Sequence, residues 1–125
     1  MNGSRPYQNS NQEFERIAQS AKRNGGATLI YPGLRPAGSG YVVAMACPFL
    51  CCRDLQSHDI CDFMQRFDQQ LTSSGAFGLW LNDHGDWVLT CSRLFVDYLA
   101  AIQFGQQHRQ RFIWNLDYGI ASPII

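Results

Sequence analysis

The chain has 125 residues, of which 46% are apolar and 16% charged. That is one domain's length, with too much apolar material for a disordered chain. Ten lysines and arginines offset ten aspartates and glutamates, so no strong field steers the protein onto phosphate backbones and nucleic acid is disfavoured as a partner. No apolar run approaches the ~20 residues of a membrane-spanning helix, and the polar segment 1–12 has no signal-peptide core. The expectation is a cytoplasmic protein with no membrane partner. Its five cysteines, an odd number, fit reduced thiols better than a disulfide framework.

In chain order, segment 1–10 is expected to be a flexible lead. A helix is predicted over 11–23, capped by Ser10 or Asn11. Glu13 and Glu15 stand in its first turn and Lys22 and Arg23 in its last, matching the helix dipole, and Phe14, Ile17, Ala18 and Ala21 form its apolar face. Asn24-Gly25-Gly26 ends it, and a short strand follows over 28–31. Segment 32–40, with two prolines and three glycines, reads as a loop. A buried strand is predicted over 41–46, with pairing expected to stop near Pro48, which has no ladder donor.

Ile60, Phe63, Met64, Phe67 and Leu71 recur at helical spacing, so a second helix is predicted over 55–72 with Asp54 as N-cap and Gly75 as stop. Segments 77–81 and 87–91 flank Asn82-Asp83-His84-Gly85-Asp86 and read as a hairpin. Ser92 is expected to cap a third helix carrying Phe95, Tyr98, Leu99 and Ile102 and ending near Gly105. A strand over 112–116, a turn at Tyr118-Gly119 and an apolar tail over 120–125 complete the chain.

The fold class expected from this order is α+β in a single domain over 1–125. It is a mostly antiparallel sheet of four to five strands in ferredoxin-like βαββαβ order, preceded by an N-terminal helix. Alternation along the strands sets Phe77, Leu79 and Leu81 opposite Trp80, and Val42, Trp80, Val88 and Ile113 leave the second face apolar. A monomer seldom leaves such a patch bare. Helix 1, a partner subunit or a ligand is expected to cover it.

Three short motifs carry a family resemblance: Ala46-Cys47-Pro48, Gly85-Asp86-Trp87 and Phe104-Gly105 followed by Gln110. In order and spacing over 42–116 the chain resembles an uncharacterised family of small bacterial domains, catalogued as domain of unknown function 3293. It departs from that family's pattern at Cys47, where the family favours Asn, after Trp87, where no Glu follows, and at Arg111, which interrupts a Gln-Ala pair. The resemblance implies no activity. It implies a small α+β domain with residues near Pro48, Trp87 and Gln110 on one surface.

Cys47, Cys51, Cys52, His58 and Cys61 offer the ligand types of a zinc site. They contain no Cys-x2-Cys pair, and the neighbours Cys51 and Cys52 point apart in any regular backbone, so small core and loop residues are the simpler reading. Cys51 and Cys52 also precede a predicted helix N-terminus, which lowers a thiol pKa, with His58, His84 and His108 available as bases; Cys51, Cys52 and His58 are the candidates for cysteine catalysis. Asn82 to Asp86 has cation-binding residue types, yet these are ordinary hairpin-turn residues. Segment 32–40 lacks Gly-Lys-Ser/Thr and leads into a strand, which disfavours a phosphate-cradling loop.

Trp80, Trp87 and Trp114 suit a stacking platform for single-stranded nucleic acid. Residues 41–100, however, set Arg53, Arg66 and Arg93 against seven aspartates, which is no basic groove. The expected binding residues are therefore Trp80 and Trp114, beside a pocket or partner, with Trp87 and Gln110 from the resemblance. The function expected is that of a small cytoplasmic bacterial accessory protein. It acts by binding a protein partner or small ligand, as a homodimer, without catalysis or a cofactor, and its tail over 120–125 adds as an edge strand to another chain. The alternatives are a cysteine–histidine enzyme or zinc domain built on 47–61, and single-stranded nucleic-acid binding on the sheet face.

Overall fold

Helix α1 (Asn11–Asn24) buries Phe14, Ile17, Ala18 and Ala21, with Glu13 in its first turn and Lys22 and Arg23 in its last. The computed structural model describes residues 11–124; the expected flexible segment 1–10 and the end of the tail lie outside them. After α1 come β1 (Gly26–Ile30), β2 (Arg35–Pro36), β3 (Tyr41–Cys52), α2 (Ser57–Arg66), α3 (Asp68–Ser74), β4 (Ala76–Leu81), β5 (Trp87–Phe95), α4 (Tyr98–Gln107), β6 (Phe112–Asn115) and β7 (Ile120–Pro123). The strands lie in the order β2-β1-β4-β5-β3-β6-β7, every neighbouring pair antiparallel.

The expected ferredoxin-like sheet of four to five strands is corrected by this arrangement, a seven-stranded sheet curled into a half-barrel. Its extra strands are β2, within the segment 32–40 read as a loop, and β7, within the tail expected to pair with another chain. Gly26 lets β1 lie against β4, because a Cβ there would stand 2.7 Å from the Leu79 carbonyl oxygen. Arg35 and Pro36, within the proline- and glycine-rich loop, pair with Ile30 and Leu29 at the sheet's edge, where a proline's missing N–H costs no ladder bond. Beyond β6, Asn115 Oδ1 accepts from the Asp117 and Tyr118 amides, and the turn returns the apolar tail onto β6. The tail is thus an edge strand of this chain's own sheet, with β6 as its one neighbour.

Four further boundaries differ from expectation. Strand β3 runs past Pro48 because the irregularity between Ala44 and Phe49 holds that proline out of the ladder. The long second helix divides at Phe67 (φ −117°, ψ 31°) into α2 and α3, with the Phe63 and Phe67 rings 4.8 Å apart across the break. Gln56, reciprocally bonded with Asp59, caps α2 in place of Asp54, whereas Gly75 at φ 95° ends α3 as predicted. Ser92 lies within β5, and α4 begins only after Asp97, whose carboxylate accepts from the Ala100 amide at 3.0 Å.

All four described helices pack on one face of the sheet. Phe14, Ile17, Ile60, Phe63, Met64 and Leu71 from α1–α3 meet Phe77, Leu79, Trp87, Leu89 and Cys91, while Ala101 of α4 meets Val43 and Ile113. Helix α1 therefore does not cover the second face, and Ile113 belongs to the helix side; its neighbours Phe112 and Trp114 point the other way. On the helix-free face stand Val42, Gly78, Trp80, Val88, Thr90 and Ser92. Thr90 and Ser92 are only 2% and 1% exposed although no described helix lies over them, because the sheet curls around them.

That curl depends on a glycine. A Cβ at Gly78 would stand 2.5 Å from Ser92 Oγ and 2.9 Å from Thr90 Oγ1, and those hydroxyls are bonded to each other at 3.0 Å. Gly78→Ala is expected to destabilise the protein by about 1–3 kcal/mol through overpacking, read as a lower urea midpoint. An unchanged midpoint would mean that the two hydroxyls move aside freely.

Candidate functional site

The irregular stretch of β3 opens a cavity of about 190 Å³ on the helix-free face. It is lined by Ala44, Met45, Ala46 and Phe49 from β3, Trp80 from β4, Val88 and Thr90 from β5, and Gln110 from the loop after α4. Its position follows from the ladder. Ala44 pairs with Ser92 and Phe49 with Thr90, so five steps along β3 span two along β5, and the surplus residues loop out of the pairing.

The loop after α4 holds this stretch of β3 in place. His108 Nδ1 accepts a hydrogen bond from the Ala46 amide at 3.0 Å, the ring lies 4.3 Å from that of Phe104, and Gln110 Nε2 donates to the His108 carbonyl at 3.2 Å. The bond to Ala46 requires His108 to carry its proton on Nε2. None of the eight lining side chains ionises, so the cavity offers dispersion, ring stacking and neutral hydrogen bonds.

Of the residues singled out from sequence, Trp80 and Gln110 meet at this cavity. Trp114 shares the face but sits across β3, opposite Val42. Trp87 does not join them; it is buried among the helices, paired with Cys52 and Leu81. The surface implied for Pro48, Trp87 and Gln110 is corrected accordingly. Phe49 and Thr90 escaped the sequence reading because β3 was expected to end before Pro48. The signal was the apolar run 49–52, which continues the strand beyond that proline.

The cysteine set does not assemble. Cys51 pairs with Val88 on the helix-free face and Cys52 with Trp87 on the helix side, so the two point apart. Burial first, and then the nearby Asp59 carboxylate, pushes the Cys52 thiol up to about 11. Burial likewise raises Cys91 to about 11 and shifts Cys61 upward. These shifts disfavour the thiolate that a nucleophile or metal ligand needs. His58 is turned outward beside Asp59, 3.5 Å from its carboxylate. Among the described residues no group of three or more His, Cys, Asp or Glu side chains is placed to hold a metal, so Cys47, Cys51, Cys52, His58 and Cys61 do not form the site considered for them. Asn82 to Asp86 is a hairpin turn: Asn82 Oδ1 accepts from the His84 and Asp86 amides at 2.9 Å each, and Gly85 takes φ 84°.

Neither a family model, nor a curated protein, nor a solved structure matches this chain.

Cys52 and Cys91 yield a pH prediction. With folded pKa values near 11 against 9.0 for the ordinary thiol, the folded chain binds more protons than the unfolded one between those values. Stability should therefore be complete below about pH 9 and fall as pH rises toward 11. Urea midpoints across that range are expected to decline, and the double variant Cys52→Ala/Cys91→Ala to flatten the decline. At pH 8, iodoacetamide followed by peptide mass spectrometry should label exposed Cys47 and Cys51 before the other three. Early labelling of Cys52 would contradict its assigned environment.

Proposed function

We propose that the protein is a non-catalytic binding module that works as a homodimer, two copies meeting through the helix-free face of the sheet. One observation carries the reading. This face presents Phe49, Trp80, Phe112 and Trp114, with Phe49 57% and Trp114 42% exposed, on the side that no described helix covers. Soluble monomers rarely leave a connected apolar surface of this kind bare.

A second copy is the occupant favoured by charge. Of the strand residues that share this face, only Arg35, at the β2 edge, is charged. Two such faces meet without like-charge repulsion or buried unpaired ions. An isologous pairing uses the same patch of both copies, each residue meeting its counterpart's neighbour reciprocally across the two-fold axis. Two sheets packed in this way, about 10 Å apart, would leave all the helices outside.

The reading includes a cytoplasmic location, supported by five cysteines that are all unpaired and consistent with the absence, among the described residues, of a helix long and apolar enough to cross a membrane. It also includes membership of the small bacterial domain family suggested by Ala46-Cys47-Pro48, Gly85-Asp86-Trp87 and Phe104-Gly105. Two of those motif regions lie beside the cavity, through Ala46 and Gln110.

Sedimentation velocity over a range of concentrations tests the pairing. A dimer is expected at micromolar concentration, and Trp80→Arg and Phe49→Asp should each convert it to monomer while far-UV circular dichroism stays unchanged. A monomer throughout, or a dimer indifferent to both substitutions, would overturn the proposal.

A further inference from the structure

We infer that the cavity between Trp80 and Gln110 binds an uncharged, planar heteroaromatic molecule of one or two rings, held edge-on by the Gln110 amide. The inference deepens the homodimer reading and rests on it.

The walls select against charge. None of the lining side chains ionises, so a carboxylate or ammonium entering the cavity would lose its water with no counter-charge to replace it. They select for a flat ring as well. Phe49 on β3 and Trp80 on β4 flank β5 on its two sides and offer apolar ring surface, while Ala44, Ala46 and Val88 have short side chains that leave room for a planar body.

The polar groups give the ring an orientation. Gln110 spends one Nε2 hydrogen on the His108 carbonyl, which leaves its second hydrogen and Oε1 as an adjacent donor and acceptor. A carboxamide in that state matches a heterocycle edge that carries its own neighbouring donor and acceptor, the pairing that Gln and Asn make with adenine. Thr90 is engaged with the Gly78 carbonyl at 3.3 Å and with Ser92 at 3.0 Å. A hydroxyl has one donor and two acceptor positions, so Thr90 keeps an acceptor for a ring N–H.

Size connects the site to the dimer. About 190 Å³ falls below the ~300 Å³ at which small-molecule sites ordinarily begin. Two such cavities brought together across a two-fold axis exceed that limit and shut out water, which strengthens every hydrogen bond inside.

The probe is adenine, with benzoate as a charged control of similar flatness. Titration of the purified protein, followed by tryptophan fluorescence and the Gln110 side-chain amide signal in a 15N–1H spectrum, should show saturable binding of adenine and none of benzoate. Gln110→Leu should weaken adenine binding about tenfold, the loss of one oriented hydrogen-bonding group, without changing the far-UV spectrum. A dimer by sedimentation that binds neither probe, or that binds benzoate equally well, would overturn the ligand inference and leave the pairing intact. A monomer at every concentration would overturn the pairing, and with it the joined cavity on which the ligand inference rests.

Discussion

An antiparallel sheet has two faces, and in this chain all four described helices are committed to one of them. Everything else follows from that one-sided burial. Phe14, Phe63, Phe77, Ile60, Leu71 and Leu89 are fully buried on the helix side, each contributing about 1.5–3 kcal/mol relative to an exposed side chain. The opposite face has no such layer. It is closed partly by curl, which sinks Thr90 and Ser92 beside the bare backbone of Gly78, and it leaves Phe49, Trp80, Phe112 and Trp114 exposed.

Strand β3 sits where these two demands meet. Before its irregularity the even-numbered Val42 and Ala44 face the open side and Val43 the helices; beyond it Phe49 and Cys51 face the open side and Leu50 and Cys52 the helices. The odd number of surplus residues between Ala44 and Phe49 inverts the alternation, so one strand serves both faces on both sides of the interruption. The looped-out residues form the cavity wall, and the His108 imidazole anchors it through the Ala46 amide. The same local event thus supplies the fold's longest strand and the cavity beside it.

That inversion also explains what the sequence reveals and what it conceals. Local signals are legible: the apolar face of α1, the Gly75 stop, the hairpin around Asn82–Asp86 and the opposition of Phe112 and Trp114 to Ile113 all depend on neighbours within a few positions. Pairing partners are not. Nothing in Arg35-Pro36 announces a strand, and the apolar tail announces an edge strand without saying that β6 of its own chain receives it. Trp87 illustrates the limit at the site. Alternation places Trp80 and Trp87 on their strands, but only the register, Leu81 opposite Trp87 and Trp80 opposite Val88, shows that the two rings lie on opposite faces. The cysteines are a milder case, since the divergence of Cys51 and Cys52 is legible from adjacency alone.

Whether the aromatic side chains of the helix-free face are covered in solution is read directly by hydroxyl-radical footprinting at nanomolar and at tens-of-micromolar protein. Oxidation of Phe49, Trp80, Phe112 and Trp114 is expected to fall as concentration rises, while exposed Leu99 and Tyr118 stay equally reactive. Uniform reactivity of the four aromatics at both concentrations, or protection that appears at Leu99 and Tyr118 instead, would contradict the pairing.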